Sequence, residues 1–375
     1  MSALRYISVF SGIGGLEASH APEMFCELDS DAASVLKIQH PNVRIWPDIC
    51  TFHPSKVDVV AGGWPCQDLS IAGGQEGLKG LRSGLLRELL RVAVESASHT
   101  VVAENVANLL RMRNGVEFAA LLEEFSNTGY NYVAWRLLNA RQFGLPQYRS
   151  RLIIIASQDP AIADTLFRDI EPSRPLIDRG NADVAAGFYW TAGTHSINYT
   201  RGYVPTIKIG STLGIASPPG VHYDGVVRTL SANEALALQG FSLTEADFPT
   251  RTAAFKAAGN AVTRDIGRWV LDGLALADEL TTPKIFPTRA SLFNDESIIG
   301  SYPTAGIYKR GSISPIAVGR GPMARNLSDF LDTDSSERLS QRAAAGLVKR
   351  LAKSGQPCPA PLKAALMAAA HLGSI

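Results

Sequence analysis

The sequence predicts an α/β fold built on a doubly wound, mostly parallel sheet, and three observations carry that prediction. Short β-branched apolar runs alternate with amphipathic stretches over the first 157 residues, the pattern of parallel strands joined by helices. Hydrophobic residues make up 46% of the 375-residue chain and charged residues 19%, which provides a substantial core and argues against disorder. Glycine-rich and polar segments follow the strands directly, at the carboxyl edge where open α/β sheets bind their ligands.

In chain order, Arg5–Phe10, Val57–Ala61, Thr100–Ala103 and Arg151–Ser157 read as buried strands, and Leu85–Ser98 as a helix. From Asp159 to about Val227 the periodicity fades. Proline, glycine and aromatic residues accumulate there, notably Phe188, Tyr189, Trp190, Tyr199 and Tyr203, as in a small loop-rich insertion. Helical patterns return at Asn233–Leu238 and Val262–Leu280. The expected organisation is therefore one domain, 1–157 plus 228–281, interrupted by a second at 158–227 and followed by an extension, 282–375. Within that extension 282–321 lacks regular pattern, while Ser335–Lys353 and Pro361–His371 read as helices, so the tail is expected to be mostly helical.

Net charge is only +1, but it is unevenly divided: from Thr282 onward twelve Lys and Arg face six Asp and Glu. The four cysteines, Cys26, Cys50, Cys66 and Cys358, form no CxxC pair, which argues against zinc and against a disulfide framework, and no metal site is expected. No apolar run approaches the roughly 20 residues needed to span a bilayer. The opening Met-Ser-Ala-Leu-Arg lacks a secretory pattern, so a cytoplasmic location is expected.

Four segments carry chemistry. Phe10-Ser-Gly-Ile-Gly-Gly15 follows the first strand, and its glycines let backbone amides approach a ligand. It reads equally as a tight strand-to-helix turn, since the GxGxxG spacing is not matched. Glu27 and Asp48 end the next apolar runs, where a carboxylate could bind ribose hydroxyls or lie solvated. Gly62-Gly-Trp-Pro-Cys66-Gln-Asp-Leu-Ser70 offers an exposed loop thiol, which attacks only as thiolate; the other reading of Cys66 is a small buried hydrophobe. The glycines of Ile71–Gly80 continue it as a lid. Glu104-Asn105-Val106 is expected just beyond a strand, so that Glu104 emerges beside Cys66 as a desolvated acid or as a helix-start residue. In Gln147-Tyr-Arg149-Ser-Arg151, alternation puts three long polar side chains on one face, for an anionic oxygen or for solvent.

Together the segments FSGIGG, GGWPCQDLS, ENV, QYRSR, RTLSANEALALQGF (from Arg228) and GNAV (Gly259 to Val262) resemble, in order, the blocks of the DNA (cytosine-5) methyltransferases of bacterial and phage modification type, over residues 5 to 275. The resemblance implies the S-adenosylmethionine-dependent methyltransferase fold. It places Phe10, Ser11, Gly12, Gly14, Gly15, Glu27, Leu28, Asp48, Ile49, Asn260 and Val262 at S-adenosylmethionine, with Leu28 where some members carry tryptophan. It places Cys66, Glu104, Arg149 and Arg151 at the base. The implied mechanism flips a cytosine from the duplex and adds the Cys66 thiolate to carbon 6, with Glu104 at ring nitrogen 3 and Arg151 at O2. Carbon 5 then takes the methyl group, its proton leaves, and Cys66 is eliminated.

The resemblance also makes 158–227 the target recognition domain. It holds five basic and seven acidic residues from Asp159 to Val227, too few cations to lie wholly on phosphates, but Phe188–Gly214 contains no acid. Tyr199, Arg201 and Lys208 there, with Gln67, Ser70, Arg82, Gln147 and Arg228, are the expected DNA contacts. In the tail, Arg338, Arg342, Lys349 and Lys353 fall within about 60° on a helical wheel, as a DNA-backbone grip or a solvated face. The expected partners are double-stranded DNA and a cognate restriction endonuclease, with the enzyme a monomer. The alternatives are a transfer-RNA cytosine-5 methyltransferase and a catalytically silent DNA-binding regulator; a nicotinamide dehydrogenase lacks its glycine spacing here.

Overall fold

A computed structural model describes residues 4–65, 84–170, 185–192, 196–208, 219–276, 305–309, 312–315, 327–332, 335, 337–354 and 358–371. The strands are β1 (Tyr6–Val9), β2 (Met24–Cys26), β3 (Arg44–Trp46), β4 (Val59–Gly62), β5 (Thr100–Val106), β6 (Tyr132–Asn139), β7 (Gln147–Tyr148), β8 (Ser150–Ser157), β9 (Ala186–Ala192), β10 (Ser196–Arg201), β11 (Val204–Pro205), β12 (Gly220–Tyr223), β13 (Val226–Thr229), β14 (Ala305–Lys309) and β15 (Ser312–Pro315). The helices are α1 (Ser30–Gln39), α2 (Gly84–Glu95), α3 (Val116–Asn127), α4 (Pro160–Asp164), α5 (Ala232–Ala237), α6 (Arg251–Asn260), α7 (Arg264–Ala275), α8 (Gln341–Ser354) and α9 (Ala360–His371). The chain divides into two compact units, one of residues 1–138, 150–170 and 262–320 and one of 139–149, 171–261 and 321–375.

The first unit is built on a sheet of order β15-β14-β6-β8-β5-β4-β1-β2-β3. Strands β3, β2, β1, β4 and β5 run parallel, and their apolar stretches are buried because helices cover both faces of such a sheet. Two expectations are corrected here. β8 runs antiparallel to β5, and it holds β5 in strand conformation through Val106, so Glu104 and Asn105 are strand residues rather than residues just beyond the strand. The stretch 282–321, which lacks pattern in the sequence, contributes β14 and β15, with β14 antiparallel to β6. The core gathers α2, α3 and the central strands, with Phe118 edge-on to Trp135 at 5.2 Å between ring centres.

The second unit holds an antiparallel sheet, β10-β9-β12-β13, and a short parallel pair, β11-β7. The loop-rich insertion read in the sequence is therefore a sheet in its described part. Asp224 and Gly225 make the β12–β13 turn with φ of 48° and 70°, the positive-φ pair that a two-residue hairpin of this twist requires. Residues 228–261 group with this unit, fastened by β7 and the residue that follows it: Gln147 Nε2 donates to the Leu238 carbonyl at 2.9 Å, and Arg149 binds the end of α6. The tail joins it through α8 and α9, which pack on Phe188 and Val227 by way of Leu347, Leu362, Ala365 and Leu366. α8 begins at Gln341, so Arg338 lies outside the helix in a bridge to Arg228 and not on its basic face.

Candidate active site

Phe10 directly follows β1 with φ of 55°, a conformation that a bulky residue adopts only where its surroundings impose it, at a cost on the order of 1–3 kcal/mol. The strain opens the turn Ser11–Gly15. Gly12, at φ 56°, has nothing among the described residues within 4 Å of the place a Cβ would occupy, whereas a Cβ on Gly15 would collide with the Val262 carbonyl. α7 closes on the same turn: a Cβ on Gly267 would strike the Gly15 carbonyl, so two facing glycines set that approach. Gly267 escaped the sequence reading, where it is one small residue in an amphipathic helix.

The Glu27 carboxylate lies at this turn, accepting from the Gly12 amide at 2.6 Å and the Asp29 amide at 2.7 Å. Burial nonetheless holds its pKa above the ordinary value. Asp29 caps α1 by accepting from the amides of Asp31 and Ala32, so Glu27-Leu-Asp29 is a rigid corner. Leu28 projects from that corner 77% exposed. Asp48 accepts from the Cys50 amide at 2.9 Å beside buried Ile49. Asn260 is exposed at the end of α6, in the second unit.

Beneath the turn, Glu17 is fully buried, accepting from the Ser8 hydroxyl, which also bonds the Ser11 hydroxyl at 2.8 Å. Burial pushes its carboxyl from 4.5 to about 7. A carboxyl raised on folding stabilises the fold fully below its unfolded pKa and loses that contribution as pH climbs through the folded value. Stability should therefore fall by about 3 kcal/mol between pH 4.5 and 7 on account of Glu17. Glu17→Gln should flatten this dependence and be the more stable protein at pH 8 in urea unfolding; an unaltered pH profile in the variant would refute the assignment.

At the carboxyl ends of β4 and β5, Glu104 and Arg151 form an ion pair, Nε to Oε1 at 2.9 Å, with both side chains nearly buried. The antiparallel register makes this pair: Val106 stands opposite Arg151 and Glu104 opposite Ile153, so the two charged residues come diagonally together across β5 and β8. Gly63 lies against the Glu104 carboxylate, where a Cβ would come 2.6 Å from Oε2. Asn105 Nδ2 donates to the Trp64 carbonyl at 3.2 Å and so anchors the segment that runs toward position 66. Cys66, Gln67, Ser70 and Arg82 lie outside the described residues, as does the glycine-rich stretch expected to form a lid. Of the other cysteines, burial pushes Cys26 up to about 12 and also raises Cys50 and Cys358, so none of these three is poised as a thiolate.

Arg149 and Gln147 do not share a surface with Arg151. Arg149 is wholly buried in the second unit, donating to the carbonyls of Ile207 (3.1 Å), Gly259 (2.9 Å) and Ala261 (2.6 Å). It thus grips the backbone on both sides of Asn260. Gln147 is equally buried and accepts from the Ile207 amide at 3.1 Å. Arg228 forks onto Glu234 at 2.8 and 2.6 Å, within a capping box that Ser231 and Glu234 make for α5, and also donates to the Asp332 carbonyl. Residues 147–151 do not alternate along one strand face, because the chain passes from β7 in one unit to β8 in the other. Gln147 and Arg228 therefore reach no surface. Tyr199 is half-buried, its hydroxyl 3.3 Å from His222 Nδ1, while Arg201 and Lys208 are exposed, Lys208 with its ammonium 5.4 Å from the centre of the Tyr189 ring. Among the described residues no cluster of His, Cys, Asp or Glu could hold a metal ion, and no helix is long and apolar enough to cross a membrane.

The mostly parallel sheet, with a glycine turn after its first strand and an acid after its second, defines an α/β methyltransferase. Solved structures share this fold: the Dnmt2 methyltransferase of S. pombe (TM-score 0.52, 15% identity) covers 74% of this chain and 100% of its own. The methyltransferase EhMeth of Entamoeba histolytica does so with a TM-score of 0.53 over 75% of this chain and 100% of its own, at 15% identity. In sequence, residues 4–176 match the family model of the C-5 cytosine-specific DNA methylases. The Type II methyltransferase M2.BsuMI of Bacillus subtilis (strain 168) is 37% identical over 331 residues, covering 80% of this chain and 81% of that protein. M.HhaI of Haemophilus parahaemolyticus is 25% identical over 308 residues, 72% of this chain and 94% of that one. The chain belongs to the C-5 cytosine-specific DNA methylase family and is a DNA cytosine-5 methyltransferase.

Proposed function

We propose that this enzyme methylates cytosine within one specific double-stranded DNA sequence, through a covalent bond to Cys66, as the modification arm of a Type II restriction-modification system. The observation that carries the catalytic assignment is the Glu104–Arg151 pair beside Gly63, three residues before Cys66. In this reading the Cys66 thiolate adds to carbon 6 of a flipped cytosine, which makes carbon 5 nucleophilic. Glu104 holds the proton or hydrogen bond at ring nitrogen 3. Arg151 fixes the Glu104 carboxylate and steadies O2. After carbon 5 gains its methyl group and loses its proton, the bond from Cys66 to carbon 6 breaks and the thiolate returns. Arg149 acts as a positioning residue, holding the turn that carries Asn260.

The residues present suit S-adenosylmethionine, which when bound supplies an electrophilic methyl group on sulfonium. Gly12 leaves open the space a Cβ would fill, Glu27 places a carboxylate at the turn as a ribose partner, and exposed Leu28 offers an apolar face for adenine. Phe10, Ser11, Gly14, Gly15, Asp48, Ile49, Asn260 and Val262 complete the proposed set. The sheet of the second unit, with Arg201 and Lys208, is proposed to read the target, and the first unit to carry catalysis. We take the enzyme to be a cytoplasmic monomer acting with an endonuclease of the same site. Similarity to Type II methyltransferases favours DNA over transfer RNA as substrate. Incubation with labelled S-adenosylmethionine and either DNA or transfer RNA, followed by bisulfite sequencing, should place label in DNA at a single recurring sequence. Label confined to transfer RNA, or none, would overturn the reading.

A further inference from the structure

We propose that the α8–α9 hairpin is a phosphate-gripping arm that holds the DNA backbone next to the recognition sheet, an inference that rests on DNA being the substrate. The ionisable side chains of the two helices, apart from His371, are Arg342, Lys349, Arg350, Lys353 and Lys363, and all five are exposed. There is no acid on either helix. Solvated helices ordinarily interleave acids three or four residues from their bases; here Lys349 and Lys353 stand one turn apart with like charge and no relief within the helix. Arg342 sits in the first turn of α8, where a cation opposes the helix dipole, so helix stability does not explain its presence.

Geometry puts these charges to one side. At 3.6 residues per turn Arg342, Lys349 and Lys353 fall within about 40° of one another, opposite buried Ala344 and Leu347. The span from Arg342 to Lys353 is about 16 Å, the axial length of roughly five phosphates of one DNA strand. Gly346 lies on the same face in mid-helix, and among the described residues nothing comes within 4 Å of where its Cβ would be. Glycine there weakens the helix, and its lack of a side chain lets a partner approach the helix backbone.

The opposite face of the hairpin fixes the arm. Leu347, Leu362 and Leu366 pack with Phe188 of β9, Val227 of β13 and Tyr199 of β10 in one cluster. The basic face is thereby held in register with the strands that carry Tyr199 and exposed Arg201, so backbone contacts and base reading would be coupled through a shared core rather than through a tether.

The test is the salt dependence of DNA binding by the full chain. Each phosphate contact contributes a slope of about −0.9 in log affinity against log salt. The triple variant Arg342→Gln, Lys349→Gln, Lys353→Gln should lose about 2.7 of slope, so that between 50 and 200 mM salt the unsubstituted protein weakens about 40-fold more than the variant. Affinity for target and non-target DNA should fall together, and the charge-keeping triple Arg342→Lys, Lys349→Arg, Lys353→Arg should retain the slope. Gly346→Leu should raise the thermal midpoint yet weaken DNA binding. An unchanged slope in the glutamine triple would overturn the proposal, including the case in which this face serves an acidic protein instead, and so would a loss confined to target DNA. Failure of the substrate assignment would appear separately, as no methyl transfer to DNA by the unsubstituted chain.

Discussion

Replacing Cys66 with alanine should abolish methyl transfer to DNA, by a factor on the order of 10⁴ or more, while leaving S-adenosylmethionine binding largely intact. The expectation follows from what the thiol alone can do. Carbon 5 of cytosine becomes a competent nucleophile only after a group adds at carbon 6, the covalent step proposed for Cys66. Cys26 cannot substitute, because burial holds its thiol near 12, and Cys50 and Cys358 are likewise raised. Most of the proposed cofactor residues are on the turn after β1 and the corner after β2, which the hydrogen bonds of Glu27 and Asp29 hold. Transfer of label from the cofactor to DNA and equilibrium binding of the cofactor would separate the two roles. Transfer near the unsubstituted rate would overturn the catalytic assignment.

Arg149→Ala should act through stability. Its guanidinium is fully buried and donates to three main-chain carbonyls, two of which flank Asn260. Truncation removes these charge-assisted bonds, leaves their acceptors without water to replace them, and opens a cavity. A loss of about 3–5 kcal/mol is expected, which for a unit of this size lowers the thermal midpoint by on the order of 10 °C. Arg149→Met, which keeps most of the volume, should recover only the cavity part. A midpoint unchanged in both variants alongside lost activity would make Arg149 a substrate contact instead.

Much of the site was legible in linear order because its residues sit at the ends of single strands. The turn after β1, the acid after β2, the Gly-Trp-Pro-Cys segment after β4 and Glu104 on β5 each announce themselves by an apolar run followed by small or polar residues. Other signals were present and went unread. Asp224-Gly225, between Val221-His-Tyr223 and Val226-Val227, is a hairpin signature, and it would have revealed a sheet where the aromatic-rich stretch looked like loop. β14 and β15 offer four or five residues each, too few alternations to stand out; their pairing with β6 makes them strands.

The sequence by itself determined the α/β class and the family, and it supplied the residue types proposed for the catalytic centre, since these depend on local periodicity and on short segments of fixed chemistry. Tertiary structure alone decided what each arginine does. Arg149 and Arg151 are two residues apart and chemically identical, yet one is spent on buried carbonyls and the other on Glu104. The reason is that a guanidinium binds whichever acceptors its surroundings leave unsatisfied, and those acceptors come from segments distant along the chain. The same holds for Arg228, which the sequence offered to DNA and the fold pairs with Glu234.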